Sequence, residues 1–148
     1  MTIFFKGRKL RSLRNEEPPR AFLSASEVTT QALGSRLFET SVVVFDIETT
    51  GGNPDRNGIT EISALRYYKG EVVDKFYSLV NPQVPIPGIV RRMTGITNKM
   101  VKDAPLIDEV MPKIINFIGS DVLVSHNTIG DLRFLRHFAA EVAAQLKN

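Results

Sequence analysis

Residues 42–52, Val-Val-Val-Phe-Asp-Ile-Glu-Thr-Thr-Gly-Gly, leave this chain few ways to fold. The run Val42–Phe45 is β-branched and aromatic, the composition of a buried central strand. Side chains alternate along a strand, so Asp46 and Glu48 leave it on the same face. Two neighbouring carboxylates repel, and burying them is costly unless a cation stands between them. A divalent ion meets that demand, and hard oxygen ligands favour Mg²⁺ or Mn²⁺. Thr49, Thr50, Gly51 and Gly52 then end the strand and let backbone come close to a ligand.

At 148 residues the chain has the size of one domain with a full core. It contains no cysteine, which excludes disulfides, thiolate metal sites and cysteine nucleophiles. No apolar stretch approaches the roughly 18 residues of a membrane span, and no signal-peptide pattern opens the chain. The expectation is a cytoplasmic protein with no membrane partner. Charge is uneven: residues 1–20 carry six basic and two acidic groups, while the other 128 carry 13 and 14. Such a basic leader could touch a phosphate backbone or simply stand in solvent.

The leader ends at Glu16-Glu17-Pro18-Pro19, a helix-breaking hinge. A helical lead-in is expected over residues 21–40, and the main domain over 41–148. Strand patterns follow at 42–47, 60–68 and 72–80, the last two joined by Lys69-Gly70 as a hairpin. A proline-rich loop runs from Asn81 to Gly88. Short helical pieces are expected over Ile89–Met93 and after Thr94-Gly95-Ile96-Thr97. The helix expected from Pro105 to Ile118 has Leu106, Val110, Ile114, Ile115 and Ile118 on its apolar stripe, and Pro112 is expected to kink it. Residues 121–125 read as a short buried strand. A last helix starts near Thr128, with Leu132, Leu135, Phe138, Ala139, Val142 and Leu146 along one face. This order gives an α/β fold with a mixed sheet.

Asp131 falls in the first turn of that last helix. Alone, it reads as an aspartate answering the helix macrodipole. If the fourth strand lies beside the first, Asp131 approaches Asp46 and Glu48, and three carboxylates would suit a two-metal site for phosphoryl transfer.

Residues 45–51, Phe-Asp-Ile-Glu-Thr-Thr-Gly, resemble the first motif of the DnaQ-like (DEDD) 3′–5′ exonucleases, which have the ribonuclease H-like fold. Residues 126–135, from His126-Asn127 to Asp131 and Leu135, resemble their second motif. Glu61-Ile62, Leu79-Val80-Asn81-Pro82, Thr94-Gly95-Ile96-Thr97 and Ala104-Pro105 are similar to spacers of the DNA polymerase III epsilon and PolC-type proofreading domains. The resemblance spans roughly residues 41–138. It implies that Asp46 bridges two metals, Glu48 holds one, and Asp131 holds the other, directly or through water. It also implies that the backbone of Thr49, Thr50 and Gly51 lies against a terminal nucleotide, with Thr94, Gly95 and Ile96 near its base. His126 and Asn127 would shape the strand end and helix entry on the substrate side. The implied substrate is a single-stranded 3′ end, DNA favoured, and the implied partner a polymerase subunit.

Two departures stand out. Gly130 replaces the aromatic residue usual before the aspartate, which loosens the helix start. The third motif, a general-base histidine and a fourth aspartate, has no match, since no aspartate follows Asp131. His137, two turns along the helix, reads as structural. The chain thus reads as an exonuclease domain lacking its last strand and helix, and nearly inactive by itself. Its fourth strand would be an open, apolar sheet edge that invites a second chain. The alternative is a non-catalytic module that binds nucleic acid or a polymerase, for which Arg91, Arg92, Lys99 and Lys102 offer a basic cluster. An unrelated Mg²⁺-dependent phosphohydrolase is the weakest alternative.

Overall fold

The computed structural model describes residues 4–5, 8–9 and 38–145. The chain divides into two units, Met1–Ser35 and Arg36–Asn148. In the first, β1 (Phe4–Phe5) and β2 (Arg8–Lys9) pair antiparallel, with Phe4 opposite Lys9. The leader was not expected to contain strands. Residues 21–37 of the helical lead-in expected over 21–40, and Leu146, lie outside the described residues.

The second unit holds a four-stranded mixed sheet in the order β5-β4-β3-β6. β3 (Val42–Thr49) and β4 (Ile59–Tyr68) pair antiparallel, as do β4 and β5 (Glu71–Leu79). The β4–β5 turn carries positive φ at both Lys69 (51°) and Gly70 (78°), the backbone twist that tight two-residue hairpins require. β6 (Val122–Val124) lies parallel to β3, with Val124 opposite Val44. The expected adjacency of the first and fourth strands is therefore present.

Among the described residues, four helices accompany the sheet: α1 (Gly88–Thr94), α2 (Asn98–Val101), α3 (Ile107–Ile118) and α4 (Thr128–Gln145). α3 begins two residues later than the proline suggested. Its start is closed by Glu109, whose Oε1 accepts the Leu106 N–H at 3.2 Å. The helix continues through the exposed Pro112, which supplies no N–H to the Asp108 carbonyl.

The main core lies on one face of the sheet. Val43, Phe45 and Ile47 of β3 meet Ile62 and Ala64 of β4, Val110, Met111 and Ile114 of α3, and Phe134, Leu135 and Val142 of α4. Two expectations need correcting here. Ile115 is 48% exposed and Met111 fully buried, because α3 touches the sheet through a narrower stripe than its apolar pattern suggests. β6 is not buried: Val122 and Val124 are 51% and 44% exposed, because among the described residues the strand has a neighbour on one side only. That open edge is three residues long, a small template for pairing.

Candidate active site

β3 supplies the first part of the site through simple alternation. Val43, Phe45 and Ile47 point into the core, so Asp46 and Glu48 share the other face. Glu48 is 9% exposed and Asp46 half-buried. Immediately afterwards the register shifts, with Glu48 opposite Glu61 but Thr49 opposite Ile59, so Thr60 is an extra residue in β4. Such a bulge bends the strand end beside the carboxylates.

Glu61 was read only as part of a spacer, yet the register sets it directly across from Glu48. Like charges in that arrangement are unfavourable, which adds to the demand for a cation or a donor. Tyr77 answers part of it: its hydroxyl donates to Glu61 Oε2 at 3.0 Å. The glutamate inside the otherwise uncharged run of residues 59–65 was the only sequence signal for this, and it needed the register to acquire meaning.

The loop behind β3 is closed by its own hydrogen bonds. Thr50 N–H donates to Gly58 O at 2.9 Å, and Gly58 N–H donates to Thr50 Oγ1 at 3.1 Å. Thr50 is 2% exposed and shapes the loop from inside. Thr49 Oγ1 donates to the Gly51 carbonyl at 2.9 Å. An added Cβ at Gly51 would stand 2.5 Å from Asn57 Oδ1, so a side chain there would displace the Asn57 amide.

Asp131 enters from the other side. Because Val124 pairs with Val44, the chain leaves β6 level with Phe45, halfway along the central strand, and turns into α4 three residues later. Asp131 is 6% exposed, and Ser125 Oγ donates to its Oδ2 at 2.7 Å. Asn127 caps the helix: its Oδ1 accepts the Gly130 N–H at 3.4 Å and its carbonyl accepts the Asp131 N–H at 2.9 Å. An added Cβ at Gly130 would lie 2.3 Å from Asn127 Nδ2, so glycine here goes with that cap. His126 is exposed at the turn. His137 lies 3.6 Å from Asp55 and 3.3 Å from Glu141, pairs that carry charge when it is protonated.

Thr94, Gly95 and Ile96 form the hinge between α1 and α2. Gly95, at φ 77°, ends α1 with its N–H on the Arg91 carbonyl. Ile96 is 3% exposed and packs with Ile86 and Val101 in a second small core that also rests on Leu79. Leu79 pairs with Glu61, so this second core sits on the carboxylate face, about 10 Å from Glu48 by the spacing of strands. Arg91, Arg92, Lys99 and Lys102 are all exposed on this segment.

Among the described residues, no three histidine, aspartate or glutamate side chains stand as a ready metal cluster. Asp46, Glu48 and Asp131 are thus not gathered into one cluster in this arrangement of side chains. The donor set nevertheless fits Mg²⁺ or Mn²⁺: it is all carboxylate oxygen, and two of the three groups are nearly buried, where an ion offsets the cost of desolvation.

Comparison with known proteins agrees with this geometry. The family model described as Exonuclease matches residues 43–146. A PolC-type DNA polymerase III from Clostridium perfringens is 43% identical over 111 residues, which are 75% of this chain and 8% of that protein. The epsilon subunit of DNA polymerase III from Aquifex aeolicus is 32% identical over 105 residues, 71% of this chain and 52% of that one. A solved structure of Exonuclease X in complex with 5′ overhanging duplex DNA aligns with TM-score 0.55 and 33% identity, covering 63% of this chain and 52% of that one. Exonuclease I of E. coli, at 16% identity and TM-score 0.59, shares the fold. The chain thus spans about half the length of the epsilon subunit and a small part of the PolC-type protein. With a carboxylate-bearing central strand, a ribonuclease H-like sheet and a family match across both motifs, this chain belongs to the exonuclease family.

Proposed function

We propose that this chain is the exonuclease portion of a 3′–5′ exodeoxyribonuclease of the DNA polymerase III proofreading type. It would act on single-stranded DNA 3′ ends with Mg²⁺ or Mn²⁺, in the cytoplasm and beside a polymerase subunit. The observation that carries this reading is the pair Asp46 and Glu48 on one face of the central strand, with Asp131 entering from the end of the parallel neighbour. These three carboxylates would hold the divalent ions, which supply charge stabilisation at the scissile phosphate and an activated water. The backbone from Thr49 to Gly51 and the Thr94–Gly95 hinge would position the terminal nucleotide. The exposed Arg91, Arg92, Lys99 and Lys102 would follow the phosphate backbone, with affinity falling as salt rises.

No residue of the 148 matches the general base of the third motif. Loss of such a base costs on the order of 10²–10⁴-fold in rate. Turnover by these residues alone is therefore slow. The test is digestion of a 3′-labelled single strand with Mn²⁺, comparing the chain with Asp46→Ala. Slow release of mononucleotides that disappears in the variant is the expected result. If neither protein digests the strand yet both bind it, the basic surface of α1 and α2 supports the non-catalytic binding module instead.

A further inference from the structure

We infer that Ser125 is a positioning residue for Asp131, tying that carboxylate to the end of β6 on the side from which it would take a divalent cation. The inference rests on the reading of Asp131 as a metal ligand.

Ser125 follows the last residue of β6, so its backbone is placed by the parallel pairing of Val124 with Val44. Its hydroxyl lies 2.7 Å from Asp131 Oδ2 and 3.3 Å from Thr128 Oγ1. A serine has one proton to donate. The shorter contact is to a carboxylate, and charge-assisted hydrogen bonds are the stronger ones, so the proton goes to Asp131. Thr128 uses its own proton on the Ser125 carbonyl, at 3.1 Å. The Ser125 hydroxyl is thereby committed in one direction.

This bond is not needed to cap α4. Asn127 already caps the first turn through the Gly130 N–H, and Ser125 lies two residues outside the cap. What the bond does is tie a side chain of the helix to the end of the strand beside β3. With Oδ2 held by a donor on one lone pair, the carboxylate cannot rotate freely. Donors behind a ligating carboxylate of this kind typically matter 10- to 100-fold for metal affinity.

Mn²⁺ titration by calorimetry, on the full 148-residue chain and its variants, tests the assignment. Ser125→Ala is expected to weaken Mn²⁺ binding about 10- to 100-fold. Ser125→Thr, which keeps the hydroxyl, should stay near the unsubstituted chain. Ser125→Cys, of similar size but a weak donor, should lose affinity like alanine, which separates the hydrogen bond from packing. Wild-type affinity in Ser125→Cys or Ser125→Ala, with Asp131→Asn weakened, overturns the role of Ser125 and leaves the site standing. If Asp46→Ala and Asp131→Asn bind Mn²⁺ like the parent, or the parent does not bind it, the metal-site reading falls and the Ser125 role falls with it.

Discussion

The two halves of the site are built to different standards of rigidity. Asp46 and Glu48 stand on a strand with a partner on each side and an eight-residue register with β4, followed by a loop that closes on itself through Thr50 and Gly58. Asp131 depends on a three-residue strand at the sheet edge and on a handful of side chains. Chief among these is Arg66 of β4, which pairs with Asp121, donates to the Phe117 carbonyl and lies 5.0 Å over the Phe117 ring. Arg66 thus joins the C-terminal end of α3 and the entry to β6 to the middle of the sheet. Backbone pairing places one half of the site, and side-chain ties place the other. Local opening is easiest where backbone pairing is thinnest, so the second half is the one expected to open first.

The comparison breaks first where both halves share the core. Phe45 is 1% exposed beneath Asp46 and should be the most damaging truncation, Phe45→Ala costing about 3–5 kcal/mol in chemical unfolding. Arg66→Ala should cost about 2 kcal/mol, because it strands a half-buried Asp121 and the Phe117 carbonyl. Hydrogen exchange sharpens the point: amides of β6 should lose protection in that variant while those of β3 and β4 keep theirs. A uniform loss would mean that the two halves open together. Asn127→Ala removes the cap of α4 and should cost about 1 kcal/mol, again read as faster exchange in the first turn of that helix alone.

The smallest effect belongs to Tyr77. Desolvation, then the hydrogen bond to Glu61 and its negative charge, hold the Tyr77 hydroxyl above its usual 10.0. A raised value means that the folded state keeps this proton longer than the unfolded chain does. The stabilisation is therefore complete below about pH 10 and lost as pH rises through the folded value. The residue is 64% exposed, so solvent screening limits the effect to a few tenths of a kcal/mol. Unfolding midpoints of the chain and of Tyr77→Phe should differ slightly at pH 8 and converge above pH 10.

Much of the framework was legible from residue patterns. The Val42–Phe45 run marked β3, Lys69-Gly70 marked a hairpin with both residues left-handed, and the apolar spacing marked α3 and α4. The failures share a cause. Val122-Leu123-Val124 looked buried because it is apolar, but burial depends on which strands flank it. Ile115 looked like core because it fits a helical stripe, but the width of the stripe in use depends on how α3 lies on the sheet. Ser125 and Glu61 drew little notice because a serine or glutamate acquires a role only when a partner distant in sequence is set against it.

The sequence by itself determined the order of elements, the exonuclease motifs and the sharing of one strand face by Asp46 and Glu48. These depend on local periodicity and side-chain alternation, which neighbouring residues alone decide. Only the tertiary structure decided that Glu61 faces Glu48, that Ile96 turns inward, and that Ser125 holds Asp131 at the end of an edge strand. Those outcomes depend on register, strand order and contacts between residues far apart in the chain, where a shift of one residue turns a side chain to the opposite face.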